Sequence, residues 1–212
     1  MLYILENTDK LGADFLDEAL HLLSLQRIRK IDRLRNLSDR ISGAAVYLML
    51  RYALKKEYGI NDIVVFDFGQ HCKPFLSGQS GIHFNLSHCC NSCSCIVSDS
   101  ETATDISDIR HISLRTAKYF CSSDELDHAS VLEDPTDELV RLWTRKECLS
   151  KLSGRGMSQG FRELTDELPE AAGLHTIVCG DYIYTYYSPA EENTIVIPEE
   201  GELVRFLQEN SR

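Results

Sequence analysis

The chain has 212 residues, with 22 lysines and arginines against 33 aspartates and glutamates, for a formal net charge of −11 at pH 7. Its length predicts one large domain or two small ones, and an apolar share of 43% with only 5 prolines excludes a wholly disordered chain. The acidity excludes a general nucleic-acid binder, because affinity for a polyanion comes from basic residues that neutralise phosphates.

No window reaches the roughly 20 apolar residues of a membrane helix. The start, MLYILENTDK, has neither a basic n-region nor a long apolar stretch. A cytoplasmic protein without membrane contact is therefore expected.

The first strong feature is a basic segment. Between Arg27 and Lys56 lie nine of the 22 basic residues, against only Asp32 and Asp39. Two readings fit: a solvated helix face, or a local patch for a compact anionic ligand. Within it, Asp39 to Lys56 has Ala44, Tyr47, Leu48 and Leu54 near a 3.6-residue period, which predicts a helix capped by Ser38 or Asp39. Asn61 to Phe68, Gly81 to Leu86 and Cys93 to Ser98 read as strands.

Four of the eight cysteines follow in one run, Cys89, Cys90, Cys93 and Cys95. Without a secretory leader a disulfide framework is not expected, and Cys90-x-x-Cys93 lacks the second ligand pair of a zinc site. Small, half-buried apolar cysteines are the default.

After a join near Ser98–Thr102 the order of elements begins again. Glu101 to Ile109 opens as a strand, Ser113 to Phe120 and Asp137 to Leu152 read as helices, and Leu174 to Cys179 with Tyr182 to Tyr187 form a hairpin about Gly180-Asp181. A short strand at Ile195 to Ile197 and a helix at Glu199 to Gln208 close the chain. The expected fold class is α+β, in two halves of similar order, 1–100 and 101–212.

Three segments carry candidate chemistry. In His83-Phe84-Asn85-Leu86-Ser87-His88 a strand ends on a hydroxyl and an imidazole that can face one ligand oxygen. In Ala103-Thr104-Asp105-Ile106-Ser107-Asp108, strand alternation puts Asp105 and Ser107 on one face. A half-buried Asp there needs a cation, a metal or backbone donors. On the longer helix Trp143, Glu147 and Lys151 are spaced i, i+4, i+8 and share a face. They are either a surface ion pair beside a buried Trp, or a carboxylate and an ammonium facing a cleft.

These segments, in this order and with Lys73-Pro74 before them, resemble the 4′-phosphopantetheinyl transferase superfamily. The resemblance covers about Arg27 to Gly156. It rests on Lys73-Pro74, Phe84-Asn85-Leu86-Ser87-His88, Thr104-Asp105-Ile106 and Trp143-Thr-x-Lys-Glu147-x3-Lys151-x2-Gly154, and its length and layout look like the Sfp-type branch.

The resemblance implies two similar α+β halves, a pseudo-dimer, with coenzyme A in the cleft between them. It implies transfer of the phosphopantetheine arm of coenzyme A to a serine of an apo acyl or peptidyl carrier protein, as in a holo-acyl-carrier-protein synthase, with release of 3′,5′-ADP. Carried over, Asp105 and Glu147 hold Mg²⁺; Glu147, Lys151 and His88 are catalytic, with Glu147 taking the serine proton. Arg27, Lys30, Lys73, Ser87, His88 and Lys151 meet coenzyme A. Carrier docking is assigned to Arg110, Arg115 and Lys118, and a monomer is expected.

The sequence also departs from the pattern. Ser107 stands where Sfp-type members carry a third acidic ligand, while Thr104-Asp105-Ile106-Ser107-Asp108-Ile109 looks like the shorter acyl-carrier-protein synthase branch, with Asp108 for its Glu. Ser42-Gly43 replaces an Arg-Thr pair. Two alternatives stand beside an active transferase: a relative that binds coenzyme A without transfer, and a metal-binding protein built on the cysteine cluster.

Overall fold

The computed structural model describes residues 1–69, 72–154, 156, 160–164, 169–189 and 194–210. Strand β1 (Leu2–Glu6) pairs antiparallel with β5 (Ser92–Ser98) and parallel with β9 (Ile195–Val196). β5 in turn pairs with β4 (His83–Cys89), so the sheet order is β4-β5-β1-β9. Tyr3 and Leu5 of β1 join one core, while Leu2 and Ile4 pack with Ile106, Tyr184 and Tyr186 in another. A strand covered on both faces is apolar throughout and shows no alternation. That is why this run carries no strand signature of its own.

The first core is built on α3 (Leu37–Tyr58), in which every residue from Ile41 to Arg51 is buried. A helix apolar on most sides belongs inside a core rather than at its rim. It starts one residue after Asn36, not at Ser38 or Asp39, and ends on Gly59 at φ 69°, the left-handed geometry glycine adopts without strain. Cys93 and Cys95 of β5 are fully buried in the same core. In front of α3 lie two helices outside the sequence expectations, α1 (Gly12–Leu20), whose Phe15, Leu16 and Ala19 share a buried face, and α2 (Leu25–Ile31). The Ser24 hydroxyl caps α2 by accepting from the Arg27 N–H. The strand expected over Asn61 to Phe68 shrinks to β2 (Phe66–Phe68), paired with β3 (Pro74–Leu76).

The second sheet has the order β6-β8-β7, from β6 (Ala103–Asp108), β7 (Leu174–Cys179) and β8 (Tyr182–Tyr187). The β7–β8 turn is the expected one, with Gly180 at φ 53°. Two short helices follow β6: α4 (Leu114–Ala117) and α5 (Ser123–Ser130), the latter fixed by a capping box between Ser122 and Glu125. Helix α6 (Thr136–Ser153) then packs on β6 and β8, with the Thr144 and Thr185 hydroxyls 2.9 Å apart.

Each of the two larger sheets thus carries one long helix, in a mixed α+β fold. The last segment returns to the first sheet: β9 pairs with β1, and Leu203 and Leu207 of α7 (Glu200–Asn210) enter the core around α3. All eight cysteines are free thiols, and Cys93, Cys95, Cys121 and Cys148 are buried. Among the described residues no helix is long and apolar enough to cross a membrane.

Candidate active site

β4 and β6 are outer strands of different sheets, and they meet. At that seam the Thr104 N–H has no strand to pair with on the β4 side. The side-chain oxygen of Asn85 accepts it instead, at 3.2 Å. The Thr104 carbonyl accepts from the Lys151 ammonium at 3.1 Å. Both backbone groups of a buried residue are thereby satisfied by side chains, as burial demands. The seam sets Asp105 of β6 beside Ser87 of β4.

Asp105 is 5% exposed, and its Oδ1 accepts from Ser87 Oγ at 2.8 Å and from Lys151 Nζ at 2.6 Å. Lys151 also donates to Ser87 Oγ at 2.9 Å. The ion pair of Lys151 is therefore with Asp105 on the strand beneath its helix, not with Glu147 one turn back on its own helix. Glu147 lies nearby with its Oε1 buried and unpartnered. Burial, then the Asp105 charge, pushes its pKa up, and Lys151 opposes this.

This cluster borders two adjoining cavities that share Ser87, His88 and Lys151. The first, of 390 Å³, is cationic and aromatic: Arg27 and Lys30 of α2 face Phe66, Phe68 and Phe84. Phe66 and Phe84 stack at 5.0 Å between ring centroids. Arg27 is 7% exposed and makes no ion pair with a described carboxylate, so burial lowers its pKa to about 10. Burial first, then Arg27 and Lys30, holds the His88 imidazole down to about 4, so it is neutral at pH 7. Lys30 is lowered too, by packing and then by Arg27 and Lys151. Arg27 and Lys30 are therefore the cations that an anion in this arm would meet.

The second cavity, of 480 Å³, is lined by Asp105, Glu147, Trp143, Asp108, Arg110 and the Cys89-Cys90 turn. Trp143 is held edge-on by Phe120 at 5.3 Å and tilted against Phe161 at 5.7 Å. Ser107 also borders this arm, its hydroxyl donating to the Asp108 carbonyl at 3.3 Å.

Of the expected residues, Arg27, Lys30, Ser87, His88, Asp105, Glu147 and Lys151 come together here. Lys73 does not line either arm; its ammonium is held by Glu101 at 2.6 Å and by the Leu152 carbonyl at 2.9 Å. Arg110, Arg115 and Lys118 are exposed, but only Arg115 lies on α4. Asn85 was not singled out as a site residue. Its signal is a polar residue two positions before Ser87 in the strand, hence on the same face.

Among the described residues no three His, Cys, Asp or Glu side chains gather as a metal-holding group. Two do lie together, Asp105 and Glu147, and the orphaned Glu147 oxygen is an acceptor that lacks a cation. Hard oxygen ligands of this number suit a divalent ion that keeps most of its waters and takes phosphate oxygens as further ligands.

Residues 98–195 match the family model described as the 4′-phosphopantetheinyl transferase superfamily. The matched stretch is just under half of the chain. It is 27% identical over 167 residues to the 4′-phosphopantetheinyl transferase psf-1 of Bacillus pumilus, covering 76% of this chain and 71% of that one. It is 28% identical over 114 residues to the 4′-phosphopantetheinyl transferase Sfp of Bacillus subtilis (strain 168), covering 52% and 51%. With the 4′-phosphopantetheinyl transferase gsp of Aneurinibacillus migulanus it shares 27% over 138 residues, covering 64% and 57%. The matched stretch thus spans between about half and seven tenths of these relatives' lengths. The stretch matched by the family model holds Asp105, Glu147 and Lys151, while Arg27, Ser87 and His88 come from the sequence before it.

Proposed function

We propose that this chain transfers the 4′-phosphopantetheine arm of coenzyme A to a serine of an apo carrier protein and releases 3′,5′-ADP. The observation that carries the reading is the seam: an unpartnered Glu147 oxygen beside an Asp105–Lys151 pair, at the mouth of a cationic cavity. The relatives' names point the same way.

In this reading the phosphates and nucleotide of coenzyme A enter the cationic arm, against Arg27, Lys30 and His88, with the aromatic rings beside them. Asp105 and Glu147 hold Mg²⁺, which when bound neutralises charge on the pyrophosphate. The carrier's serine approaches through the acidic arm. Its oxygen bonds to the β-phosphorus as the bridging P–O bond breaks, so 3′,5′-ADP leaves and the serine proton passes to Glu147. A carboxylate with a raised pKa suits that task. Lys151 and His88, where the two arms join, face the charge that shifts during transfer. Such reactions depend mostly on positioning and neutralisation. The carrier docks against Arg110, Arg115 and Lys118, a local basic rim on an acidic protein.

The test is mass spectrometry of an apo carrier protein incubated with the chain, coenzyme A and Mg²⁺. The expected result is a gain of one phosphopantetheine mass, lost in Glu147→Ala. In the same assay Arg115→Glu raises the carrier's KM and leaves coenzyme A affinity unchanged. Coenzyme A binding with no gain on several carriers would favour the second reading, binding without transfer. Its motive is Ser107, which supplies no third carboxylate.

A further inference from the structure

Arg27 spends two of its nitrogens on one acceptor. Nε at 3.2 Å and Nη2 at 2.6 Å both donate to the carbonyl of Gly43, inside α3. Nη1 has no hydrogen-bond partner among the described residues, and Arg27 lines the cationic cavity. An ideal Cβ on Gly43 would lie 3.8 Å from Nη2, 3.6 Å from Ile31 and 3.4 Å from Leu34. A methyl would touch all three, and a branched side chain would displace them.

Glycine in a helix interior costs about 1 kcal/mol relative to alanine. Here it sits near the start of a fully buried stretch, where an alanine Cβ would make ordinary contacts and a branched side chain would have to displace Arg27, Ile31 or Leu34.

We propose that Gly43 is a positioning residue for Arg27: its bare backbone lets the guanidinium reach the carbonyl, which fixes α2 on α3 with the Nη1 edge left for the anionic ligand of the cleft. The neighbouring residue does a parallel task on the opposite wall. Ser42 Oγ lies 2.6 Å from Thr8 Oγ1 and donates to the Cys90 carbonyl at 2.8 Å, holding the β4–β5 turn where Cys90 takes φ 41°. The Ser42-Gly43 step therefore fastens two pieces of the cleft to one helix. The identity of the anion rests on the reading above, in which it is the phosphate groups of coenzyme A.

The experiment is titration calorimetry of the full chain with coenzyme A, on Gly43→Ala, Gly43→Val, Arg27→Gln and the Gly43→Val/Arg27→Gln double variant, with melting curves on each. Affinity is expected to fall with side-chain size, by about tenfold for Gly43→Val, comparable to losing one charged hydrogen bond. KM for coenzyme A should rise more than kcat falls. In the Arg27→Gln background Gly43→Val should cost less than about twofold, because the group it displaces is gone. Equal losses in both backgrounds, or full affinity in Gly43→Val, would overturn the proposal. Should Gly43→Val fail to fold, Gly43→Cys, which reaches one atom beyond Cβ, decides in the same cycle: a loss confined to the Arg27 background supports the proposal, and full affinity or a loss in both backgrounds sinks it. No coenzyme A binding by the unaltered protein would instead overturn the proposed function along with this inference.

Discussion

The two arms of the cleft solve opposite electrostatic problems. In the cationic arm Arg27, Lys30 and His88 stand together with no carboxylate among them, and burial lowers the pKa of each. In the acidic arm Asp105 and Glu147 stand together, but Lys151 reaches in from α6 and neutralises one of them. One arm carries charge that only an external anion can balance. The other is half balanced from within and keeps a single orphaned oxygen, on Glu147. A site so divided is suited to an anionic ligand on one side and a cation on the other, and Ser87, His88 and Lys151 stand where the two would meet.

The largest effect should come from breaking the acidic arm at its buried member. Asp105→Ala removes the acceptor of both Ser87 and Lys151 and, in the proposed reaction, a metal ligand. Transfer is expected to fall on the order of a thousandfold, the scale of losing one preorganised charged group. Ser107→Ala removes only a hydroxyl turned onto the Asp108 carbonyl and should stay within about twofold. Single-turnover rates on both variants decide the matter. Equal losses would mean that Ser107 shares the ligand role and that the two-carboxylate description is wrong.

A smaller effect tests the seam that holds the arms together. Asn85→Ala leaves the Thr104 N–H buried without a partner, at a cost of about 1–3 kcal/mol in stability. It also frees Asp105 to move from Ser87. A roughly tenfold fall in kcat is expected beyond the loss in melting temperature. Asn85→Asp keeps an oxygen for the Thr104 N–H, so it should recover kcat. Because its charge faces the cationic arm, it should shift KM for coenzyme A as well. A variant pair that changed melting temperature alone would reduce Asn85 to a fold-stabilising residue.

Much of this was legible in the sequence, for reasons that differ by element. Helix α6 and the β7–β8 hairpin announce themselves through periodicity and a turn glycine, α3 through a long apolar run closed by Gly59, and Asp105, Glu147 and Lys151 through their spacing. β1 gives no alternation because both its faces are covered. α1 and α2 are short helices whose register is set by packing on α3. The Lys151 partner is not legible because i, i+4 spacing describes neighbours on one helix and says nothing of Asp105 on β6, the strand on which α6 packs. The surroundings of Lys73 are hidden for a similar reason: its partners Glu101 and Leu152 are distant in sequence. The cysteine run, conspicuous as a string, dissolves in space into buried side chains against α3 and a turn held by Ser42.

The smallest effect is one of pH, and it has opposite signs in the two arms. The folded-state pKa of His88 lies near 4, below its ordinary value of 6.5. Its contribution to stability is whole above about pH 6.5 and is lost as pH falls toward 4, since the unfolded chain takes up the proton first. Glu147 is raised above its ordinary 4.5. The stability it contributes is present below that value and is lost as pH rises through the raised one. Acidification should therefore weaken the cationic arm while it relieves the acidic one. Melting temperatures from pH 7.5 to 4 should show His88→Gln with a shallower fall below pH 6.5 than the unaltered chain. Glu147→Gln should be stabilised near neutrality, with the gain fading toward pH 4. Coenzyme A, by lending anionic charge to His88, should give a melting shift that grows as pH drops from 7 to 5. If His88→Gln and Glu147→Gln instead followed the unaltered pH profile, the two arms would not be the electrostatic opposites that their side chains describe.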